Sequence, residues 1–127
     1  MLRGVDVITT LQASVCRTLA NPVRIAIVHL LANGPHEVGR IARELHISQP
    51  NASQHLAVMR TVGLVEALRD GREVSYRLTD PEIVVACQIM ASVLRRHHQR
   101  YVEALEPADP RQAATAPNEP AVVGGLS

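Results

Sequence analysis

The sequence predicts a small, mainly α-helical domain with one β-hairpin, an α+β fold in the order α-α-α-α-β-β-α. Apolar residues recur at helical spacing as far as Gly63, alternate with polar residues over 73–78, and return to helical spacing after Pro81. The chain has 127 residues, a length typical of one domain. We therefore expect one folded domain over residues 1–105.

The amino-acid composition indicates the type of core, the cellular compartment and the state of the cysteines. Phenylalanine and tryptophan are absent while 46% of residues are hydrophobic, so the core should be aliphatic. The N-terminal residues lack an apolar stretch of signal-peptide or membrane-spanning length, which predicts a cytoplasmic protein with no membrane partner. Cys16 and Cys87 form no CxxC motif, and a structural disulfide is not expected in a reducing compartment.

The first two helices are separated at Asn21-Pro22, because asparagine caps a helix N-terminus and proline is tolerated in the first turn. Asn33-Gly34-Pro35 ends the second helix, since glycine adopts the left-handed conformation and proline blocks continuation. Apolar residues at helical spacing mark the two helices; they are Ile8, Leu11, Val15 and Leu19 in the first, and Ile25, Val28 and Leu31 in the second.

The third and fourth helices are joined by a short turn. The third is expected to span about three turns, and the fourth covers residues 48–63, with Ser48 as N-cap and Pro50 in the first turn. Each has one apolar face, formed in the third by Val38, Ile41, Ala42 and Leu45, and in the fourth by Ala52, Leu56, Met59 and Gly63.

A hairpin follows the fourth helix. Residues 64–69 form the first predicted strand, and the alternation of Val74, Tyr76 and Leu78 with polar residues predicts the second. Asp70-Gly71 provides a tight, glycine-dependent turn. The tip of the hairpin therefore carries Arg69 and Arg72.

A long last helix is expected to begin near residues 79–82, with either Thr79 or Asp80 as its cap. Its apolar stripe extends to Leu105 and is wider than a helix on the surface of a small domain requires, so a partner should cover part of it. Residues 106–127 are rich in proline and lack apolar periodicity, which predicts a disordered tail.

Helix, short turn, helix and a hairpin with a basic tip form a winged helix-turn-helix. Although the net charge is +1, residues 17–77 contain eight arginines and five acidic residues. Amide and hydroxyl side chains on the polar face of the fourth helix can read base edges, whereas Arg60, Arg69 and Arg72 can neutralise phosphates. The sequence thus predicts a sequence-specific DNA-binding regulator rather than an enzyme, since no nucleophile–base pair or Gly-rich phosphate loop is recognisable.

Three stretches resemble the ArsR/SmtB family of dimeric bacterial repressors: LANPVRIAIVHLL at 19–31, IARELHISQPNASQHLAVMRTVGLV at 41–65, and RDGREVSYRL at 69–78. The resemblance covers about residues 11–105. It implies a homodimer, paired through the first and last helices, that represses transcription from double-stranded operator DNA until an unidentified effector acts. By position, the DNA-contacting residues of the family correspond to Gln49, Asn51, Ser53, Gln54 and His55.

The metal sites of that family are not expected here, and no cofactor is predicted. Residues 44–48 read ELHIS and lack the cysteine pair of the third-helix site. The positions that match the last-helix site lack imidazoles and include an arginine, which would repel a cation; they are Asp80, Glu82, Val93 and Arg96. A site in which His97-His98 meets Cys16 or Cys87 of the other subunit is an alternative.

Two further alternatives are open. Cys16 and Cys87 lie on the helices expected to meet in the dimer, and some family members respond to oxidants through two cysteines, although usually on the second and last helices. Inert packing of both thiols is the simpler interpretation. The other alternative is a winged-helix module that binds a protein instead of DNA.

Overall fold

The computed structural model describes residues 4–105, so the predicted tail lies outside the described residues. Residues 4–87 belong to one compact unit and residues 88–105 to a second. In chain order the elements are α1 Val7–Thr18, α2 Pro22–Leu31, β1 His36–Glu37, α3 Val38–Leu45, α4 Gln49–Thr61, β2 Val65–Asp70, β3 Glu73–Leu78, α5 Glu82–Arg96 and α6 His98–Leu105.

Side-chain caps fix where α1, α2 and α4 begin. Asn21 accepts hydrogen bonds from two first-turn backbone N–H groups at 2.8 and 3.2 Å, and Ser48 accepts one at 3.1 Å. These bonds satisfy amides that have no partner inside a helix. Both predicted caps are confirmed, whereas Asp6, which caps α1 at 2.7 Å, is a cap that the sequence prediction missed.

The core is aliphatic, as the composition predicts. Side chains from α2, α3 and α4 meet in its centre, where Ile27, Ile41, Leu56 and Met59 are fully buried. The inward face of α4 is completed by Ala52, which is also fully buried. Burial of this narrow stripe fixes the rotation of α4 about its axis and turns the opposite, polar face outward.

α3 is shorter than predicted, with eight residues instead of about three turns. It ends because His46 adopts the left-handed conformation, at φ 57°. The N–H of His46 donates to the Arg43 carbonyl at 3.3 Å, and that of Ile47 donates to the Ala42 carbonyl at 3.0 Å. This pattern closes the helix and reverses the chain toward Ser48.

The sheet has three antiparallel strands in the order β1-β3-β2. Asp70 pairs with Glu73, so the turn consists of Gly71 and Arg72, one position later than predicted. Gly71 has φ 66°, which favours glycine. The sequence prediction missed β1 because a strand of two residues, in which His36 pairs with Tyr76, has no detectable period.

The predicted long last helix is two helices, α5 and α6, with His97 between them. Asp80 rather than Thr79 supplies the cap of α5, since the Asp80 carboxylate accepts a hydrogen bond from the Glu82 backbone N–H at 2.9 Å. No helix in the described range 4–105 has both the length and the apolar character needed to cross a membrane.

Candidate nucleic-acid interface

The helix-turn-helix presents a polar surface on α4. Most of the predicted base- and phosphate-contacting residues on this helix have exposed side chains, and His55 is half-buried. The exposed residues are Gln49, Asn51, Ser53, Gln54 and Arg60. The structure therefore brings the α4 residues predicted from the sequence onto one accessible helix.

Two arginines lie at the hairpin tip. Arg69 and Arg72 are exposed, and neither forms an ion pair with a residue in the described range 4–105. Arg77 differs, because its Nε donates to the Glu66 carboxylate on the neighbouring strand at 2.6 Å. The Glu66 carboxylate compensates the charge of Arg77, so Arg69 and Arg72 are the hairpin arginines without an ion pair to a residue in the described range 4–105.

A groove of about 410 Å³ runs between α4 and β3. Tyr76 lines it from the sheet, and Ser53, Arg60 and Thr61 line it from the helix. The groove combines hydroxyl groups with one guanidinium, a set of groups suited to contacts with a sugar-phosphate strand.

The His55 side chain forms a hydrogen bond with the half-buried Arg24 of α2. The Arg24 Nε lies 3.1 Å from His55 Nδ1, while Arg24 Nη1 donates to the Thr18 carbonyl, also at 3.1 Å. Burial and the positive charge of Arg24 lower the pKa of His55, which therefore favours the neutral imidazole. The sequence prediction missed Arg24, because its partner lies 31 residues away along the chain.

The two cysteines are free thiols, exposed at Cys16 and half-buried at Cys87. Burial raises the pKa of the Cys87 thiol, and the neighbouring Cys16 raises it further. Cys16 lies on α1 and Cys87 on α5. Among residues 4–105, no cluster of three or more His, Cys, Asp or Glu side chains could hold a metal ion.

Residues 21–67 match the sequence family described as bacterial regulatory protein, arsR family. The chain is similar to the biofilm growth-associated repressor of Xylella fastidiosa, with 40% identity over 68 residues, 54% of this chain and 60% of the repressor. This chain thus spans less than two thirds of that curated relative. The HTH-type transcriptional regulator Rv0081 of Mycobacterium tuberculosis is 35% identical over 97 residues, which cover 76% of this chain and 85% of the regulator.

Solved structures show the same fold. The crystal structure of Rv0081 matches with a TM-score of 0.67 and 32% identity, covering 77% of this chain and 99% of the other. The homodimeric winged helix-turn-helix DNA-binding domain of Mb0332 from Mycobacterium bovis matches with a TM-score of 0.68 and 29% identity, covering 78% and 94%. The predicted winged helix-turn-helix fold is confirmed.

Proposed function

Because the chain belongs to the ArsR family of bacterial regulatory proteins, we propose that it is a homodimeric transcriptional repressor that binds two-fold-symmetric, double-stranded operator DNA. The observation that carries this proposal is the exposed polar face of α4, set opposite a stripe that is fully buried at Ala52, Leu56 and Met59. A helix held in this way can enter the major groove while the hairpin tip contacts the backbone. A repressor of bacterial genes acts in the cytoplasm.

Exposed apolar side chains support the dimer. On α1, Val7, Ile8 and Leu11 are 73%, 69% and 56% exposed, and on α5 Val85 and Ile89 are also exposed. Isolated surface leucines are ordinary, but successive apolar residues along one helix indicate an interaction surface. A second copy of this chain would remove these side chains from water, and the homodimeric relative supports that arrangement.

The test is a binding titration with the DNA upstream of the gene and with a scrambled duplex, each at about 50 mM and about 200 mM salt. We expect a preference for the upstream DNA and weaker binding at the higher salt, because phosphate contacts release counterions. Absence of binding to either duplex at low salt would favour the protein-interaction module instead. Sedimentation of the DNA-free protein measures its oligomeric state and so tests the proposed dimer.

A thiol switch is a second candidate for how DNA binding is regulated. It is supported by the presence of two free thiols, an exposed one at Cys16 and a half-buried one at Cys87. The exposed Cys16 would meet a peroxide first and become a sulfenic acid as the peroxide is reduced to water. Attack by Cys87 would then form the disulfide and release a second water.

The switch is tested by treating the protein with peroxide and measuring operator affinity before and after reduction. The wild type should lose affinity and regain it with reductant, whereas the Cys16→Ser, Cys87→Ser double variant should not respond. If wild type and double variant respond alike, the two cysteines are not the switch.

A further inference from the structure

The contact between Arg24 and His55 determines which ring nitrogen of His55 carries the proton. A guanidinium has five N–H donors and no acceptor, and it stays charged in proteins. The group that faces Arg24 Nε at 3.1 Å, His55 Nδ1, must therefore be the acceptor. With the ring oriented as in the structure, Nδ1 accepts because arginine can only donate.

A neutral imidazole has one donor nitrogen and one acceptor nitrogen. With Nδ1 accepting from Arg24, the remaining proton resides on Nε2. This Nε2–H has no hydrogen-bond partner among residues 4–105, since the only hydrogen bond of the His55 side chain there is the one to Arg24. The half-buried ring thus carries one donor that is unused within the described chain.

The Arg24 guanidinium donates two hydrogen bonds, from Nε to His55 and from Nη1 to Thr18. Its Nη1 donates to the carbonyl of Thr18, a buried residue in the last turn of α1, where a positive charge also interacts favourably with the helix dipole. Because Arg24 is the charged group that acts on His55, its position controls both the orientation and the proton of the imidazole. Arg24 is a positioning residue rather than a DNA-contacting one.

We infer that Arg24 fixes His55 as its Nε2–H tautomer, so that the recognition helix α4 offers operator DNA a neutral hydrogen-bond donor for an acceptor atom. Such atoms are phosphate oxygens and the N7, O6 or O4 atoms of base edges. This inference rests on the proposed DNA-binding function. A fixed tautomer adds specificity, because a donor paired with a donor on DNA leaves both groups unsatisfied.

The tautomer is measurable in the DNA-free wild type by long-range proton–nitrogen NMR of the histidine rings at neutral pH. We expect Nδ1 of His55 to be unprotonated and Nε2 protonated. The opposite pattern, or a doubly protonated ring, would overturn the inference whether or not the protein binds DNA. The Arg24→Met variant, which keeps an unbranched side chain without the guanidinium, should show mixed tautomers and a higher pKa for His55.

The donor role is tested by a matched pair of variants. The amide nitrogen of glutamine lies near the position of Nε2, and that of asparagine lies near Nδ1. His55→Gln should therefore keep operator affinity, whereas His55→Asn should bind about tenfold more weakly, the usual scale for one base-edge contact. Equal affinity of both variants and the wild type would overturn the donor role. A protein with the expected tautomer that binds no DNA would overturn the proposed function and leave the tautomer assignment intact.

Discussion

His46 and Gly63 end the two helices of the helix-turn-helix in the same way. Both adopt the left-handed conformation, with φ 57° at His46 and 84° at Gly63. In each case the following residue donates its N–H to the carbonyl five positions earlier, at 3.0 Å after His46 and 2.9 Å after Gly63. These two caps end α3 before the turn to α4, and end α4 before the hairpin.

Replacing Gly63 with alanine should destabilise the protein. A Cβ at this position meets no atom within 4 Å, so the cost is the left-handed backbone itself, about 1 kcal/mol. That corresponds to a fall in Tm of about 4–8 °C for a domain of this size. Thermal unfolding at a fixed protein concentration measures it, and an unchanged Tm would contradict the role given to the Gly63 cap.

Gly39→Ala is the matched control, and it should stabilise the protein where Gly63→Ala destabilises it. Gly39 lies in the first turn of α3, where alanine is the better helix former by at most about 0.5 kcal/mol. The added Cβ would lie 3.4 Å from Arg43 Nη1 and 3.6 Å from Gln49 Oε1, both at the ends of flexible side chains. The Tm should therefore rise slightly, and a loss as large as that of Gly63→Ala would show that α3 and α4 pack more tightly than the structure indicates.

Gln54→Ala should relax sequence preference more than it weakens binding in general. Gln54 is exposed on α4, and an amide that contacts a base edge contributes about 1–3 kcal/mol of discrimination. Affinities for the operator and for a scrambled duplex should therefore converge. Unchanged discrimination would remove Gln54 from the base-reading set.

Arg72→Ala should weaken binding to all duplexes by a similar factor. Arg72 lies in the exposed turn at the hairpin tip, where we expect its charge to neutralise a phosphate without reading a base. The slope of log affinity against log salt should decrease by about one. If instead Arg72→Ala affects only the operator, the hairpin reads sequence as well.

Leu11→Asp should dissociate the proposed dimer. Leu11 is one of the exposed apolar residues of α1, and a carboxylate there would have to be buried without a partner. Ala13→Asp adds the same charge to an exposed position on the other side of α1. Sedimentation should show monomers for Leu11→Asp and dimers for Ala13→Asp, and dimers in both would exclude this face from the interface.

Because the pKa of His55 is lowered in the folded protein, the free energy of unfolding should decrease as the pH falls below the usual pKa of a histidine. The pKa of His55 lies below the reference value of 6.5 in the folded protein, through burial and then the charge of Arg24. Between the two pKa values the unfolded chain binds more protons, so acid favours unfolding. His55→Gln lacks this contribution, and chemical denaturation should show a smaller loss for it than for the wild type between about pH 7.5 and about pH 5.

The sequence alone determined the features whose causes are local. Asn21 and Ser48 cap the residues that follow them directly, and the spacing of Ala52, Leu56 and Met59 defines the buried side of α4. The polar residues of that helix were predicted for the same reason, since one helical period separates the inward face from the outward one. Their contacts with DNA stay a prediction.

Only the tertiary structure decided the features that join distant segments. The pairing of β1 with β3 and the bond from Arg24 to His55 connect residues far apart in sequence, and neither leaves a period or a cap to detect. The turn of the hairpin lies one position later than predicted, because the register of a strand pair depends on both strands together. Local chemistry identified the surface predicted to read DNA, but long-range packing placed Arg24 against His55 within it.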